Sequence, residues 1–149
     1  MKLDELLVID DLQAMDKENV LLELSTLAAS QSERLSPDRV YSALMERELH
    51  GCTGIGGGMA RPHSKIEGVD ELIFVLARSH RGVHYGAQDK RPVQIFVVLL
   101  GQPGNNRAYV EALGKLGRLL RDEDNKAMLL AAKQTKEFST VFFRMWQSV

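Results

Sequence analysis

Residues 53–63, TGIGGGMARPH, carry the residue types in this chain that are best suited to chemistry. The glycines permit positive φ and a close approach to a ligand, and exposed N–H groups in such a loop can bind an anion. Pro62 fixes its own φ and favours an extended residue before it. His63 is therefore expected on a short extended segment, where a neutral imidazole can attack phosphorus and pass the group onward.

The glycine loop does not match the known nucleotide-binding patterns. Position 59 is Met where the dinucleotide pattern G-x-G-x-x-G needs glycine, and no Lys-Ser/Thr pair follows as in a Walker A loop. A plain turn and a histidine half-buried at a strand start are therefore alternative interpretations, which local sequence leaves open.

Arg47 is a candidate helper of His63. It follows Val40 by seven residues and Leu44 by three, at the edge of the apolar stripe of a predicted helix. There the stem can be buried while the planar guanidinium faces an oxyanion, although a solvated surface arginine is the alternative. Glu48 falls near the middle of the stripe, so either the helix ends there or the carboxylate is partly buried and pairs with a base.

The strand pattern predicts the fold class. The apolar runs 71–78 and 93–100 indicate strands buried on both faces, hence a sheet with helices on both sides. The segment 82–93 alternates and turns at Asp89–Lys90, which predicts a further strand joined by a hairpin. With helices before and after these strands, we expect an α/β fold with a mixed β-sheet flanked by helices on both faces.

Helices are predicted before and after the strands. Asp16 and Ser36 have the residue types of N-caps, and Pro37 suits the first helical position. The predicted stretches are 17–31, a second helix from Pro37, a third after the GQPGNN loop, and two more around 124–133 and 136–146.

Composition limits the classes of function. The 149 residues fit one domain, 1–149, and a net charge of −1 gives no overall field to attract nucleic acid or an anionic membrane. The single cysteine, Cys52, excludes an internal disulfide and a cysteine metal cluster. The N-terminus carries acids where a signal peptide carries bases, and no apolar run approaches membrane-spanning length. A cytoplasmic protein is expected.

The segment MERELHGCTGIGGGMARPHSK resembles the active-site segment of phosphotransferase-system IIA components of the fructose/mannitol class, which includes the nitrogen-regulatory IIA proteins. The matching residues are Arg47, Glu48, Gly51, Thr53, Gly54, Ile55, Gly56, Gly58, Ala60, Pro62 and His63. Downstream, GVHYGAQDKRPV is similar to a second family signature through Gly82, Ala87, Asp89, Pro92 and Val93. The resemblance covers nearly the whole chain.

This resemblance implies a mixed sheet flanked by helices and a phosphocarrier function. His63 would accept a phosphoryl group from phospho-HPr or its nitrogen-branch relative, and pass it to a IIB domain or hold it as a regulatory mark. Arg47 would neutralise phosphate charge. The phosphate loop would comprise Thr53, Gly54, Gly56 and Gly58. No nucleotide, metal or other cofactor is required.

The sequence departs from the resemblance at three positions. Many members carry a second histidine where this chain has Tyr109, which can donate a hydrogen bond but cannot supply imidazolium charge; a core role is the alternative. Arg61 replaces an apolar residue before Pro62. Because residues 61 and 63 share a strand face, Arg61 either adds charge beside His63 or lies along the surface. Cys52 replaces a serine. Its thiol is either made more acidic by the nearby arginines and loop N–H groups, or it is a small inert residue in a tight loop.

Three functions follow from the resemblance. The first is a standalone regulatory IIA protein acting on a kinase or transporter, which the absence of a linker before Val149 favours. The second is the IIA component of a fructose/mannitol-type uptake system that passes phosphate to a IIB domain. The third is a degenerate IIA-like binding module without phosphotransfer, for which Tyr109 is the supporting feature.

Overall fold

Two long apolar strands form the centre of the sheet. The structure, a computed structural model, describes residues 1–149. Strands β5 (Ile73–Val83) and β6 (Val93–Gly101) pair antiparallel, with Val75 opposite Val98. Most side chains of both strands are buried, because helices cover both faces of the sheet, and His80 and Arg81 near the end of β5 are exposed. Both predicted apolar strands are thereby confirmed.

The remaining strands are short and make the sheet mixed. They are β1 (Leu6–Ile9), β2 (Gly54–Gly56), β3 (Met59–Ala60) and β4 (His63–Lys65). The order is β1-β5-β6-β3-β2, and β4 also pairs with β6. Strand β1 runs parallel to β5, and β3 and β4 run parallel to β6, whereas β2 is antiparallel to β3. The mixed sheet is as predicted, but the sequence pattern does not predict β1.

Strands β3 and β4 lie one after the other along the same edge of β6. Ala60 is opposite Phe96 and His63 is opposite Leu99, so the chain runs beside β6 with a break at Arg61–Pro62. Pro62 has no N–H to donate, but its carbonyl accepts a hydrogen bond of 3.0 Å from the Leu99 N–H. This interrupted strand places His63 at the edge of the sheet.

Five α-helices cover the sheet, three of them following the strands. They are α1 (Lys17–Ala29), α2 (Pro37–Leu49), α3 (Arg107–Leu120), α4 (Glu123–Ala131) and α5 (Thr135–Ser148). The predicted N-caps are confirmed: Asp16 accepts from the Asn19 N–H and Ser36 from the Arg39 N–H. None of the helices has the length and apolar character needed to span a bilayer.

Each face of the sheet has its own hydrophobic core. On one face α1 and α2 bury residues such as Leu24 and Leu44 against the sheet. On the other face α3, α4 and α5 bury residues such as Leu116 and Phe138. The helices thus flank both faces, as predicted, and the sheet edge that carries His63 lies between the two helical layers.

The further strand predicted within 82–93 is not separate, because its first residues are the end of β5; the turn predicted at Asp89–Lys90 is present, with the Lys90 N–H donating to the Ala87 carbonyl at 2.9 Å and Lys90 at a positive φ of 60°. Strand β5 ends at Val83, after a register shift beyond Arg78, and Val83 pairs with Val93. The residues between them form a loop that contains a turn at residues 88–89, and His84 makes an isolated parallel bridge to Asp16. Tyr85 and Ala87 are buried in the core on the α1–α2 face, so tertiary packing replaces strand pairing in this segment.

Candidate functional site

The path of the chain sets the protonation of His63. This side chain is 8% exposed, and its Nδ1 lies 2.7 Å from the carbonyl oxygen of Arg61. A carbonyl only accepts hydrogen bonds, so Nδ1 carries the proton of the neutral ring and donates it. Nε2 therefore keeps its lone pair.

Arg47 covers that lone pair. It lies in the last turn of α2, and its Nε donates to His63 Nε2 at 3.2 Å. Its Nη1 donates to the carbonyl oxygen of Gly51 at 2.8 Å, just beyond the end of the helix. The loop after α2 thus holds a planar guanidinium against the one basic nitrogen of His63.

Electrostatics keep the imidazole neutral. Burial lowers the pKa of His63 below its usual value, and the positive charges of Arg47 and Arg61 lower it further. The Arg61 carbonyl and the Glu48 carboxylate act in the opposite direction but do not reverse the shift. A neutral imidazole with an unprotonated Nε2 is the nucleophilic form, once the Arg47 N–H that binds Nε2 moves away.

Glu48 fixes the end of α2. Its carboxylate is buried, lies 2.8 Å from the Lys17 ammonium, and accepts hydrogen bonds from the Thr53 N–H (3.0 Å) and hydroxyl. Of the two alternatives for this residue, the structure shows the buried carboxylate paired with a base. The Thr53 hydroxyl also lies 3.0 Å from the Tyr85 hydroxyl, so its partners lie within the protein.

The glycines form the turn between β2 and β3. Gly56, Gly57 and Gly58 all have positive φ, at 88°, 67° and 79°. The Gly57 N–H donates to the Asp89 carboxylate at 2.8 Å, and this bond is the main reason that the pKa of Asp89 lies below its usual value. The anion bound at this turn is therefore a side chain of the same protein.

Gly54 serves close packing. A Cβ at this position would lie 2.8 Å from the Cβ of Ala87, so only glycine lets β2 approach the loop after β5 so closely. Other residues surround His63: Arg47 donates to its ring, Tyr109 lies beside it, and the charge of Arg61 acts on it. The glycine turn is itself hydrogen-bonded within the protein: Gly57 donates to Asp89, and the Gly58 carbonyl accepts from the Gln94 and Ile95 N–H groups of β6 at 2.8 and 3.2 Å.

Arg61 turns its guanidinium towards α3. Its Nη1 donates to the carbonyl oxygen of Leu113 at 2.6 Å. The same Nη1 lies so close to Gly117 that a Cβ at that position would be 3.0 Å from it. Burial lowers the pKa of Arg61, and the nearby charge of Arg121 adds to the effect. Arg61 thus does not lie along the surface: its guanidinium packs against α3, and its positive charge helps to lower the pKa of His63.

Tyr109 is both a core residue and a wall of the site. It is 6% exposed, and its ring centroid lies 6.4 Å from that of His63. Burial raises the pKa of Tyr109 to about 12, so the phenol stays protonated at neutral pH. Gly101, at the end of β6, leaves the space that the Tyr109 ring occupies, because a Cβ there would lie 2.5 Å from the ring.

Two residues that support the site, Lys17 and Tyr85, were not identified from the sequence. Lys17 pairs with Glu48 and lies 4.5 Å above the ring of Tyr85, whose own pKa is raised, mainly by burial. The only signal in the sequence was the Glu48 carboxylate on the apolar stripe of α2, which indicates that a basic residue pairs with it but does not identify that residue. The base lies on another helix, 31 positions earlier in the chain.

The arrangement suits reversible bonding to an anionic electrophile. A neutral, desolvated Nε2 provides the nucleophile, and a guanidinium beside it favours negative charge. No group of three or more His, Cys, Asp or Glu side chains in residues 1–149 is placed to hold a metal ion.

Comparisons with known proteins give the family context. Residues 1–144 match the family described as "Phosphoenolpyruvate-dependent sugar phosphotransferase system, EIIA 2". A nitrogen regulatory protein of Bradyrhizobium diazoefficiens is 31% identical over 137 residues, covering 90% of this chain and 87% of that protein. A fructose-specific EIIABC component of Bacillus subtilis is 33% identical over 138 residues, which are 89% of this chain but 22% of that protein. The crystal structure of nitrogen regulatory protein IIA-Ntr from Neisseria meningitidis superposes with a TM-score of 0.84 at 26% identity, covering 94% of each chain.

Proposed function

Because this chain belongs to the EIIA 2 family of the phosphoenolpyruvate-dependent sugar phosphotransferase system, we propose that it is a phosphocarrier whose His63 accepts a phosphoryl group from a phospho-HPr-like donor. The observation that carries this proposal is the Nε2 lone pair of a buried, neutral imidazole, held 3.2 Å from the Arg47 guanidinium. Phosphoryl transfer needs positioning and charge stabilisation more than covalent help, and these residues supply both.

The proposed step is a direct transfer between two nitrogens. The Nε2 lone pair of His63 forms a bond to phosphorus while the bond between phosphorus and the donor's histidine breaks, and that electron pair stays on the donor nitrogen. The proton on Nδ1 remains there, donated to the Arg61 carbonyl. The Arg47 N–H leaves Nε2 and donates to a phosphoryl oxygen, as a charge-assisted hydrogen bond.

We further propose that the chain acts as a standalone cytoplasmic IIA protein of the nitrogen-regulatory type. Two nitrogen regulatory proteins match it over about nine-tenths of both chains, which supports this assignment. Phosphorylation adds roughly two negative charges at His63, enough to make or break a contact with a regulated kinase or transporter. The alternative is a fructose/mannitol-type uptake component that passes phosphate to a IIB domain, supported by the match to the EIIABC protein.

Phosphorylation in vitro tests the proposal. The chain is mixed with phosphoenolpyruvate, enzyme I and either HPr or its nitrogen-branch equivalent, and mass spectrometry follows an acid-labile phosphoryl adduct. We expect the adduct on the wild-type chain and on the His50→Ala control, whose histidine is exposed at the end of α2, but not on His63→Ala. An adduct that persists in His63→Ala would contradict the site assignment. No adduct with either donor would instead favour a IIA-like binding module without phosphotransfer.

Transfer from the phosphorylated chain separates the two assignments. A nitrogen-regulatory protein is expected to keep its phosphoryl group when a fructose- or mannitol-type IIB domain is added. Rapid transfer to that IIB domain would favour the uptake function.

A further inference from the structure

The Arg61 guanidinium is buried without its full set of partners. Nη1 donates to the Leu113 carbonyl at 2.6 Å, but the Nε–H is fully buried and has no acceptor. It is the only buried side-chain nitrogen or oxygen of the protein left in this state. Burying an unsatisfied donor of a cation is unfavourable, so an acceptor supplied during function would explain its retention.

Positive charge beside His63 is also uncompensated. Neither Arg47 nor Arg61 forms an ion pair, although five other ion pairs occur in the protein. The carboxylate that influences His63 is that of Glu48, and it is already bound to Lys17 and Thr53. Two guanidiniums thus act on the His63 ring with no anion assigned to either of them.

The two arginines come from opposite sides of the sheet. Arg47 belongs to α2, in the helical layer on one face, whereas Arg61 is held through Leu113 by α3, in the layer on the other. A phosphoryl group on Nε2 has three oxygens, which two such donors can share. Gly117 of α3 leaves the space in which the Arg61 head lies.

We propose that Arg61 contacts the phosphoryl group of phospho-His63 and, with Arg47, is a second residue that stabilises its charge. This inference rests on the proposed phosphocarrier function of His63. The acceptor for the buried Nε–H is then a phosphoryl oxygen, and the uncompensated positive charge is neutralised when the chain is loaded.

The loaded chain provides the first test. Arg61→Leu removes the charge and Arg61→Lys retains it. Arg118→Leu removes an exposed arginine from α3 as the matched control. After equilibration with the phosphorylated donor, ³¹P NMR measures the fraction loaded and the pKa of the phosphoryl group. We expect Arg61→Leu to shift the equilibrium towards the donor by about tenfold and to raise that pKa, while the other two variants stay near wild type.

A residue that merely anchors α3 would leave the phosphoryl pKa unchanged in Arg61→Leu. That result, in a variant whose amide spectrum shows the wild-type fold, would overturn the proposal. An equal effect of Arg118→Leu would overturn it as well, because the response would then be one of general surface charge.

Titration with inorganic phosphate tests Arg61 independently of phosphotransfer and of any variant. The ¹⁵N–¹H resonance of Arg61 Nε in the unmodified wild-type chain is expected to shift saturably as phosphate is added, together with that of Arg47. If no donor phosphorylates the chain, the phosphocarrier function fails, yet this titration still decides whether Arg61 receives an oxyanion. A resonance of Arg61 that does not respond while that of Arg47 does would overturn the proposal.

Discussion

At the scale of single residues, the reactivity of His63 is a matter of which nitrogen holds the proton and how readily the other gains one. The Arg61 carbonyl holds the proton on Nδ1, while burial and the charges of Arg47 and Arg61 oppose a second proton on Nε2. The same burial that makes protonation costly excludes water from Nε2, the atom proposed as the nucleophile. Stability and chemistry are therefore linked through one titration.

That titration predicts a pH dependence of stability. In the unfolded chain the pKa of His63 is about 6.5, and in the folded protein it is lower. The unfolded state binds the proton first as pH falls, so this contribution to the free energy of unfolding is fully present above about pH 6.5. It decreases below that pH and is lost as the pH falls through the folded pKa. Urea unfolding across this range should show a shallower decline for His63→Gln than for wild type.

His50→Gln is the control for this measurement, because His50 is exposed at the end of α2. It should decline with pH as the wild type does. Identical pH profiles for wild type and His63→Gln would contradict the folded-state shift of His63.

The sequence predicts the individual residues of the site better than their surroundings. His63 and Arg47 stand out because a Pro-His ending and a helix-edge arginine are local patterns. The partner of Glu48 was not predictable, since Lys17 reaches it only through the packing of α1 against α2. The contact between Gly57 and Asp89 likewise joins residues 32 positions apart. The assigned roles of the site residues stay predictions until the adduct is measured.

At the scale of elements, the junction between β6 and α3 sets the distance of Tyr109 from His63. Gly101 ends β6, and the Tyr109 ring occupies the space beside it. Asn106 caps α3 by accepting from the Tyr109 N–H at 3.1 Å, which fixes where this helix begins. A side chain at position 101 would therefore displace the wall of the site.

Replacing Gly101 by alanine should be destabilising. The new methyl group meets the Tyr109 ring at 2.5 Å, and overpacking of this kind costs about 1–3 kcal/mol. Gly114→Ala on α3 is the matched control, because its Cβ meets only Arg118 Nη1 at 3.7 Å. It should gain about 0.5–1 kcal/mol from helix propensity. Thermal unfolding should give a lower melting temperature for Gly101→Ala and a higher one for Gly114→Ala than for the wild type. Equal melting temperatures for the two variants would contradict the packing argument.

Elements were predictable where local signals are strong. Asp16 and Ser36 mark helix starts, and two apolar runs mark the central strands. Strand β1 was missed because four apolar residues between acidic ones give no period long enough to recognise. No separate strand forms in 84–92, because the alternation there reflects burial of Tyr85 and Ala87 in the core; the turn at Asp89–Lys90 was predictable from its residue types.

At the scale of the whole molecule, Arg78 joins distant parts of the chain. It is 1% exposed, donates to the Asp10 carbonyl at 2.9 Å and pairs with the Asp10 carboxylate. It also donates to the carbonyls of Leu129 (2.8 Å) and Ala132 (2.6 Å) at the end of α4. The guanidinium lies 4.4 Å from the ring centre of Phe138. One side chain of β5 thus donates hydrogen bonds both to the segment after β1 and to the end of α4.

Arg78→Leu should lower global stability strongly without touching His63. Arg78→Leu removes the buried partner of an ion pair whose Asp10 carboxylate is partly exposed, together with three hydrogen bonds to carbonyls, which costs about 3 kcal/mol. For a chain of this size that corresponds to a melting temperature lower by about 10 °C. Arg81→Leu, an exposed arginine on the same strand, should change the free energy of unfolding by less than about 0.5 kcal/mol. Equal losses in both variants would show that Arg78 contributes no more than a surface charge.

The main-chain origin of the His63 tautomer has a consequence for how this site can change by mutation. The acceptor for Nδ1–H is a carbonyl that every amino acid carries, so no substitution at position 61 removes it. The path of the main chain therefore fixes the tautomer of His63, whatever charge the side chain at position 61 carries. If His63 is the proposed phosphoryl acceptor, substitutions at position 61 can change the charge beside the phosphoryl group without changing which nitrogen of His63 is unprotonated.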